Sequence, residues 1–143
     1  MPSEKQVFLQ LAKGLEYIHL MDLIHRYIKP QNVLISVQSD SKKVTIKWAD
    51  FGLSKPVNER GTFTMSGVRG TYDWFAPEIL DIYIRNEDIG NSTPPHRGTI
   101  KSDVFAEGLV FGYYLLGGVH PYGPKHQILR NIQRNNPVNL NGK

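Results

Sequence analysis

Three short strings concentrate the residues able to do chemistry. His25-Arg26-Tyr27-Ile28-Lys29-Pro30-Gln31-Asn32 puts an imidazole, a guanidinium, a phenol, an ammonium and an amide in one stretch. Asp50-Phe51-Gly52 adds a carboxylate ahead of a glycine, and Ala76-Pro77-Glu78 adds another carboxylate. Cations beside hard oxygen donors suit the handling of anionic oxygens, bound directly or through a hard divalent ion. Taken singly, each string has a plainer meaning. Asp50 is a common turn residue before glycine, Asn32 a loop cap, and Lys29 a solvated charge.

What gives them weight is the elements that must position them. Ser3 followed by Gln6 reads as a capping box, and Val7, Leu11, Leu15 and Ile18 then share a helical face. This predicts a helix over residues 4–20, with Gly14 its weak point. Residues 33–37 form a short apolar run. A polar turn over 38–43 follows, and then Val44, Ile46 and Trp48 alternate with Thr45 and Lys47. That pattern predicts a two-stranded hairpin. The first string sits between helix and hairpin, and Asp50 directly follows the second strand, so the hairpin brings Asn32 and Asp50 together.

Residues 50–69 lack periodicity and are expected to form a long functional loop. Residues 78–83 suggest a short helix, and 85–98, with Pro94-Pro95, a surface insertion. Residues 103–116 are apolar nearly all round, which argues a buried helix ended by Gly117-Gly118. Residues 126–134 read as a last amphipathic helix, and 135–143 as a polar tail without a fold signal.

Composition narrows the class. The 143 residues are 40% hydrophobic and 21% charged, enough for one ordinary globular domain. The net charge of +4 is mild and comes without a basic run or interleaved aromatics, so nucleic-acid binding through this stretch is not expected. There is no cysteine, hence no disulfide framework and no cysteine-based zinc site. The start is not a signal peptide, and the most apolar stretch, 104–119, is too short to span a bilayer.

The first string resembles the protein-kinase catalytic loop, H-R-D-L-x-x-x-N, with Tyr27 in place of the aspartate and Ile28 in place of the leucine. Asp50-Phe51-Gly52 matches D-F-G and Ala76-Pro77-Glu78 matches A-P-E. The three come in the right order and on the right elements. The resemblance covers residues 8–132 and implies a mainly α fold with a short β-hairpin, the C-terminal lobe of a protein kinase. Residues 1–134 would be a partial kinase domain, with the N-lobe and last helices missing and 135–143 a tail.

It further implies ATP and Mg2+ as cofactors. Phosphoryl transfer needs positioning and charge stabilisation more than covalent chemistry. Asn32 and Asp50 would hold magnesium, and Lys29 would lie near the transferred phosphoryl. A lysine at that place, with Gly70-Thr71 and Trp74 before Ala76, is similar to serine/threonine kinases. Phe51 would set which way Asp50 faces, with Gly52 as its turn. His25 would support the loop and Phe51, Asp103 would accept backbone hydrogen bonds from the loop, and both roles are structural. Glu78 would need an arginine partner that the sequence does not supply.

Tyr27 stands where the family has its catalytic aspartate. A neutral phenol is a poor proton acceptor at pH 7, and loss of such a base costs on the order of 10²–10⁴ in rate. No Gly-rich loop and no V-A-I-K lysine occur in the chain. Three readings therefore stand: a serine/threonine kinase family member, a nucleotide-binding pseudokinase or interaction module, and a non-functional truncated gene product. As written, negligible phosphotransfer is expected.

Finer wording is similar to the unfolded-protein-response sensor kinase/endoribonucleases, the family of inositol-requiring enzyme one and ribonuclease L. It lies in Gln31-Asn32-Val33-Leu34-Ile35-Ser36, Ala49-Asp50-Phe51-Gly52-Leu53-Ser54-Lys55, Ser66-Gly67-Val68-Arg69-Gly70-Thr71 and Gly118-Val119-His120-Pro121-Tyr122-Gly123. The insertion at 85–98 is longer than that family's usual linker. The resemblance implies Thr62, Thr64 and Ser66 as autophosphorylation positions, whose phosphates could order the loop against Arg26. It also implies a protein substrate, or the kinase itself in trans, and a kinase-domain homodimer. The chain alone would be cytosolic, and a family-like parent would carry it on the cytosolic face of the endoplasmic reticulum membrane.

Overall fold

The computed structural model describes residues 2–49, 72–81 and 100–141. Helix α1 spans Glu4–Leu20. Its capping box is complete: the Gln6 amide N–H donates to Ser3 Oγ at 3.3 Å, and the Ser3 N–H donates to Gln6 Oε1 at 2.9 Å. Val7, Leu11, Leu15 and Ile18 are buried along one face. Strands β1 (Val33–Val37) and β2 (Val44–Trp48) form the antiparallel hairpin, with Val33 opposite Trp48 and Val37 opposite Val44. The register follows from β2, whose alternating Ile46 and Trp48 are buried while Lys47 is exposed.

Two hydrogen bonds dock the hairpin on α1. The Trp48 indole N–H donates to the Leu11 carbonyl at 3.0 Å, and the Ile46 N–H donates to Gln10 Oε1 at 2.8 Å. The second satisfies a donor on the outer edge of β2, which has no further strand to pair with among the described residues.

Helix α2 runs Ile100–Leu115 and packs beside α1. The apolar pattern implied burial on all sides, and the structure corrects this. Asp103, Ala106, Glu107, Leu109 and Val110 are buried, whereas Ile100, Val104, Tyr114 and Leu115 are exposed. Among the described residues α1 covers α2 at Phe111 and Tyr114, while Trp74, Pro121 and Tyr122 cover another side at Tyr113, Gly112 and Phe105, which leaves one stripe exposed. Gly112 allows Pro121 to approach closely, because a Cβ there would lie 2.6 Å from Pro121 Cγ. The last helical segment is a 3₁₀ turn, Lys125–Gln127, leading into α3, Ile128–Gln133.

The core joins Leu11, Leu15, Ile28, Trp48, Trp74, Leu80, Leu109 and Ile132. The polar residues after 134 are tied to it by backbone satisfaction. Asn139 Nδ2 donates to the His120 carbonyl at 2.7 Å, and the Asn139 N–H to the Pro121 carbonyl at 3.0 Å. Residues 77–81 are helical, starting at Pro77 after buried Ala76. The expected long loop at 50–69, the insertion at 85–98 and residues 82–83 of the expected short helix lie outside the described residues.

Candidate functional site

The loop between α1 and β1 is fixed by one buried carboxylate. Asp103, in the first turn of α2, is 2% exposed. Its Oδ2 accepts the His25 N–H at 2.8 Å and contacts His19 Nε2 at 2.9 Å, while its Oδ1 accepts the Arg26 N–H at 2.9 Å. A carboxylate receiving several donors is the strongest neutral-pH anchor available to a loop without secondary structure. Arg26 needs such an anchor, because its φ of 75° is a left-handed conformation that disfavours side chains with a Cβ.

His25 is fully buried and closes the loop from the other side. Its Nδ1 accepts the Tyr27 N–H at 3.2 Å, so Nε2 carries the proton and donates to the Ala49 carbonyl at 2.7 Å. The ring also lies against Trp48, with centroids 6.2 Å apart. His120 repeats this device elsewhere, accepting the Tyr122 N–H on Nδ1 and donating from Nε2 to the Asp73 carbonyl at 2.7 Å. Burial lowers the His120 pKa, against the opposing pull of its bond to Asp73 and of the Asp73 charge, so that ring stays neutral.

Asn32 is 3% exposed and ends a 3₁₀ turn, Pro30–Asn32, opened by Lys29. Its Nδ2 donates to the Tyr27 carbonyl at 2.6 Å, which orients the amide and leaves Oδ1 outside that bond. The Asn32 carbonyl accepts the Ala49 N–H at 2.7 Å. The chain thus leaves β2 beside Asn32, immediately before position 50. Lys29 is half-buried at the turn. Asp50, Phe51, Gly52, Thr62, Thr64 and Ser66 lie outside the described residues.

Tyr27 is partly buried. Burial raises its phenol pKa above 10.0, and the Arg26 charge only partly opposes this, so the group stays protonated at neutral pH. Glu78 is exposed on the 77–81 helix. The structure therefore gathers His25, Arg26, Tyr27, Lys29, Asn32 and Asp103 about one loop and leaves Glu78 apart. Among the described residues no group of three His, Asp or Glu side chains could hold a metal ion. The oxygen donor that fits a hard cation here is Asn32 Oδ1.

Two contributors escape sequence reasoning. His19 reaches Asp103 from the last turn of α1, and Trp48 links β2, α1 and the His25 ring. Both contacts are long-range, and neither residue lies in a motif.

A catalytic-loop string, strapped to a helix by a buried aspartate and followed by a hairpin that returns beside its asparagine, defines the class. The protein-kinase domain family matches residues 2–140, and the chain belongs to that family. Within it, the resemblance is to unfolded-protein sensors. The sensor for unfolded proteins in the endoplasmic reticulum, ire1, of Schizosaccharomyces pombe is 34% identical over 89% of this chain and 13% of that protein. The Homo sapiens serine/threonine-protein kinase/endoribonuclease IRE2 is 37% identical over 82% of this chain and 12% of that protein. The Caenorhabditis elegans serine/threonine-protein kinase/endoribonuclease ire-1 is 35% identical over 83% and 11%. The chain spans about an eighth of the length of these relatives. Among the described residues no helix is long and apolar enough to cross a membrane.

Proposed function

We propose that this serine/threonine kinase family member binds a magnesium-nucleotide complex at Lys29, Asn32 and Asp50, and transfers phosphate negligibly because Tyr27 replaces the acceptor-side base. The observation that carries this is the pairing of a built donor with a missing acceptor. Asn32 is buried with its amide oriented by the Tyr27 carbonyl, while the Tyr27 phenol is held protonated by burial. Magnesium, when bound, would neutralise charge on the triphosphate oxygens. Lys29 would add a point charge at the same place. Leu34, on β1 two residues past Asn32 and 54% exposed, offers an apolar surface for a nucleobase.

Action through binding rather than turnover fits the relatives, which couple a kinase to a second activity by name. By that likeness the parent would sit on the cytosolic face of the endoplasmic reticulum membrane, form kinase-domain homodimers and carry Thr62, Thr64 and Ser66 in its activation segment. The test is calorimetry of Mg-ATP binding to the full kinase domain containing this chain, as Tyr27 and as Tyr27→Asp, with autophosphorylation measured alongside. Binding by both, with transfer only by Tyr27→Asp, is expected. Transfer by the Tyr27 form refutes the assignment, and binding by neither shows that the nucleotide site is not maintained.

A further inference from the structure

Four hydrogen bonds close a ring around the catalytic loop. His25 Nε2 donates to the Ala49 carbonyl at 2.7 Å, and the Ala49 N–H donates to the Asn32 carbonyl at 2.7 Å. Asn32 Nδ2 donates to the Tyr27 carbonyl at 2.6 Å, and the Tyr27 N–H returns to His25 Nδ1 at 3.2 Å. The ring holds Asn32 by its main chain and by its amide, and so fixes the direction of Asn32 Oδ1. His25, Tyr27 and Asn32 belong to one string, whereas Ala49 follows the last residue of β2. The ring therefore keeps its shape only while the end of β2 stays in place beside the loop.

Trp48, the covalent neighbour of Ala49, supplies that restraint. It is 4% exposed. Its indole N–H donates to the Leu11 carbonyl of α1 at 3.0 Å and also serves the Glu107 carboxylate of α2. Three-centre donation of this kind ties one side chain to two helices. The same indole lies beside the His25 ring, with centroids 6.2 Å apart. Packing alone asks for apolar volume at position 48. A carboxylate is a costly group to bury opposite an indole for packing, and Glu107 is only 8% exposed.

We infer that Trp48 is a positioning residue for the oxygen donor of the nucleotide site, holding Ala49 so that the hydrogen-bonded ring keeps Asn32 Oδ1 aimed at a cation. The inference rests on the magnesium-nucleotide reading given above. In this role Trp48 acts through Ala49 and Asn32 rather than on the nucleotide itself. Partners that orient a ligand from behind typically change metal affinity by about 10–100-fold when lost. Removing the indole N–H releases the end of β2 from both helices at once, while an aromatic side chain can be kept.

The experiment is calorimetry of ATP binding to the full kinase domain containing this chain, with Mg2+ and with EDTA, as Trp48 and as Trp48→Phe. The quantity read is the factor by which magnesium tightens binding. Trp48→Phe keeps an apolar ring without the N–H donor, and the factor is expected to fall about tenfold. A residue that only fills the core would weaken both titrations alike, so an unchanged factor in Trp48→Phe overturns the inference. Absence of any magnesium effect in the unmodified domain refutes the nucleotide reading itself, and this role of Trp48 falls with it. If Trp48→Phe does not fold, a measurement on the unmodified domain decides. Adding Mg2+ to the ATP complex should shift the Trp48 indole N–H resonance by NMR, with the Trp74 indole, packed against Tyr113 and His120, as internal control. A Trp48 resonance that stays fixed while magnesium binds overturns the inference.

Discussion

Replacing Asp103 tests whether one carboxylate sets the geometry of the catalytic loop. In Asp103→Ala, the His25 and Arg26 N–H groups lose their acceptor, and His19 loses its partner. Each orphaned buried donor costs about 1–3 kcal/mol. The His25 amide carries the full cost because that residue is wholly buried, and the partly exposed Arg26 recovers some through water. The left-handed Arg26 backbone, φ 75°, also loses its restraint and relaxes. The expected sum is about 3–5 kcal/mol, a large share of the roughly 5–15 kcal/mol that holds a domain together. With a urea slope of roughly 1–3 kcal/mol per molar, the midpoint should fall by about 2 M. Asp103→Asn keeps one acceptor oxygen but turns an amide donor toward another donor, so it should lie between the two. Hydrogen exchange at His25 and Arg26 supplies the local readout, and both amides should lose protection in Asp103→Asn before the remainder of α1 does. A midpoint shift below about 0.5 M in Asp103→Ala, with exchange at His25 unchanged, would refute the reasoning and leave the loop held by His25 and Asn32 alone.

Two further perturbations probe other parts of the fold. Glu107 has an ordinary pKa of 4.5 when unfolded and about 7 when folded, so the unfolded chain ionises first as pH rises. Stability contributed at this position is therefore intact below pH 4.5 and lost across pH 4.5–7. The full shift corresponds to at most about 3 kcal/mol, and partial solvation of the carboxyl should leave roughly 1–2 kcal/mol. Glu107→Leu should accordingly raise stability by that amount at pH 8 and by much less at pH 4.5, read as the pH dependence of the urea midpoint. In Gly112→Ala, the new Cβ would stand 2.6 Å from Pro121 Cγ, in a ring that cannot swing aside. A loss of about 1–3 kcal/mol is expected by thermal unfolding, and an unchanged melting temperature would show that α2 and the 121 region separate freely.

How much of this was legible in the sequence depends on how local each signal is. The capping box at Ser3 and Gln6, the α1 face and the hairpin at 33–37 and 44–48 are written in short-range periodicity, and the structure shows them at the same residues. The helix at 103–116 was found, but its exposed stripe at Ile100, Val104 and Leu115 was not. Hydrophobicity reports what a side chain tolerates, and only its neighbours decide what is covered. The final helix is shorter than its amphipathic pattern suggested, since Lys125–Gln127 tightens into a 3₁₀ turn before α3. The residues after 134 gave no signal because their order comes from asparagine side chains bonded to backbone carbonyls, which leaves no period. In the site, the motif located Tyr27, Lys29 and Asn32. It could not show His19 on Asp103, or Glu107 buried one turn further on, because both depend on how α1 and α2 face each other.

That last juxtaposition suggests how the two halves of the α1–α2 interface divide their work. Asp103 and Glu107 are four residues apart on one helix and so share a face. Two carboxylates on a shared buried face repel unless one is neutralised by partners or by a proton. Asp103 has partners in the His25 and Arg26 amides and His19, and so serves the loop as an anion. Glu107 has only the Trp48 indole N–H to oppose its burial, and the Asp103 charge raises its pKa further. Removing the Glu107 charge would therefore be felt at Asp103, by weakening the repulsion that the loop anchor carries. Glu107→Gln would then tighten the catalytic loop without touching it, and stronger protection of the His25 amide from exchange at pH 8 is the measurable consequence. If Glu107→Gln folds while His25 protection stays constant, the two carboxylates are energetically independent.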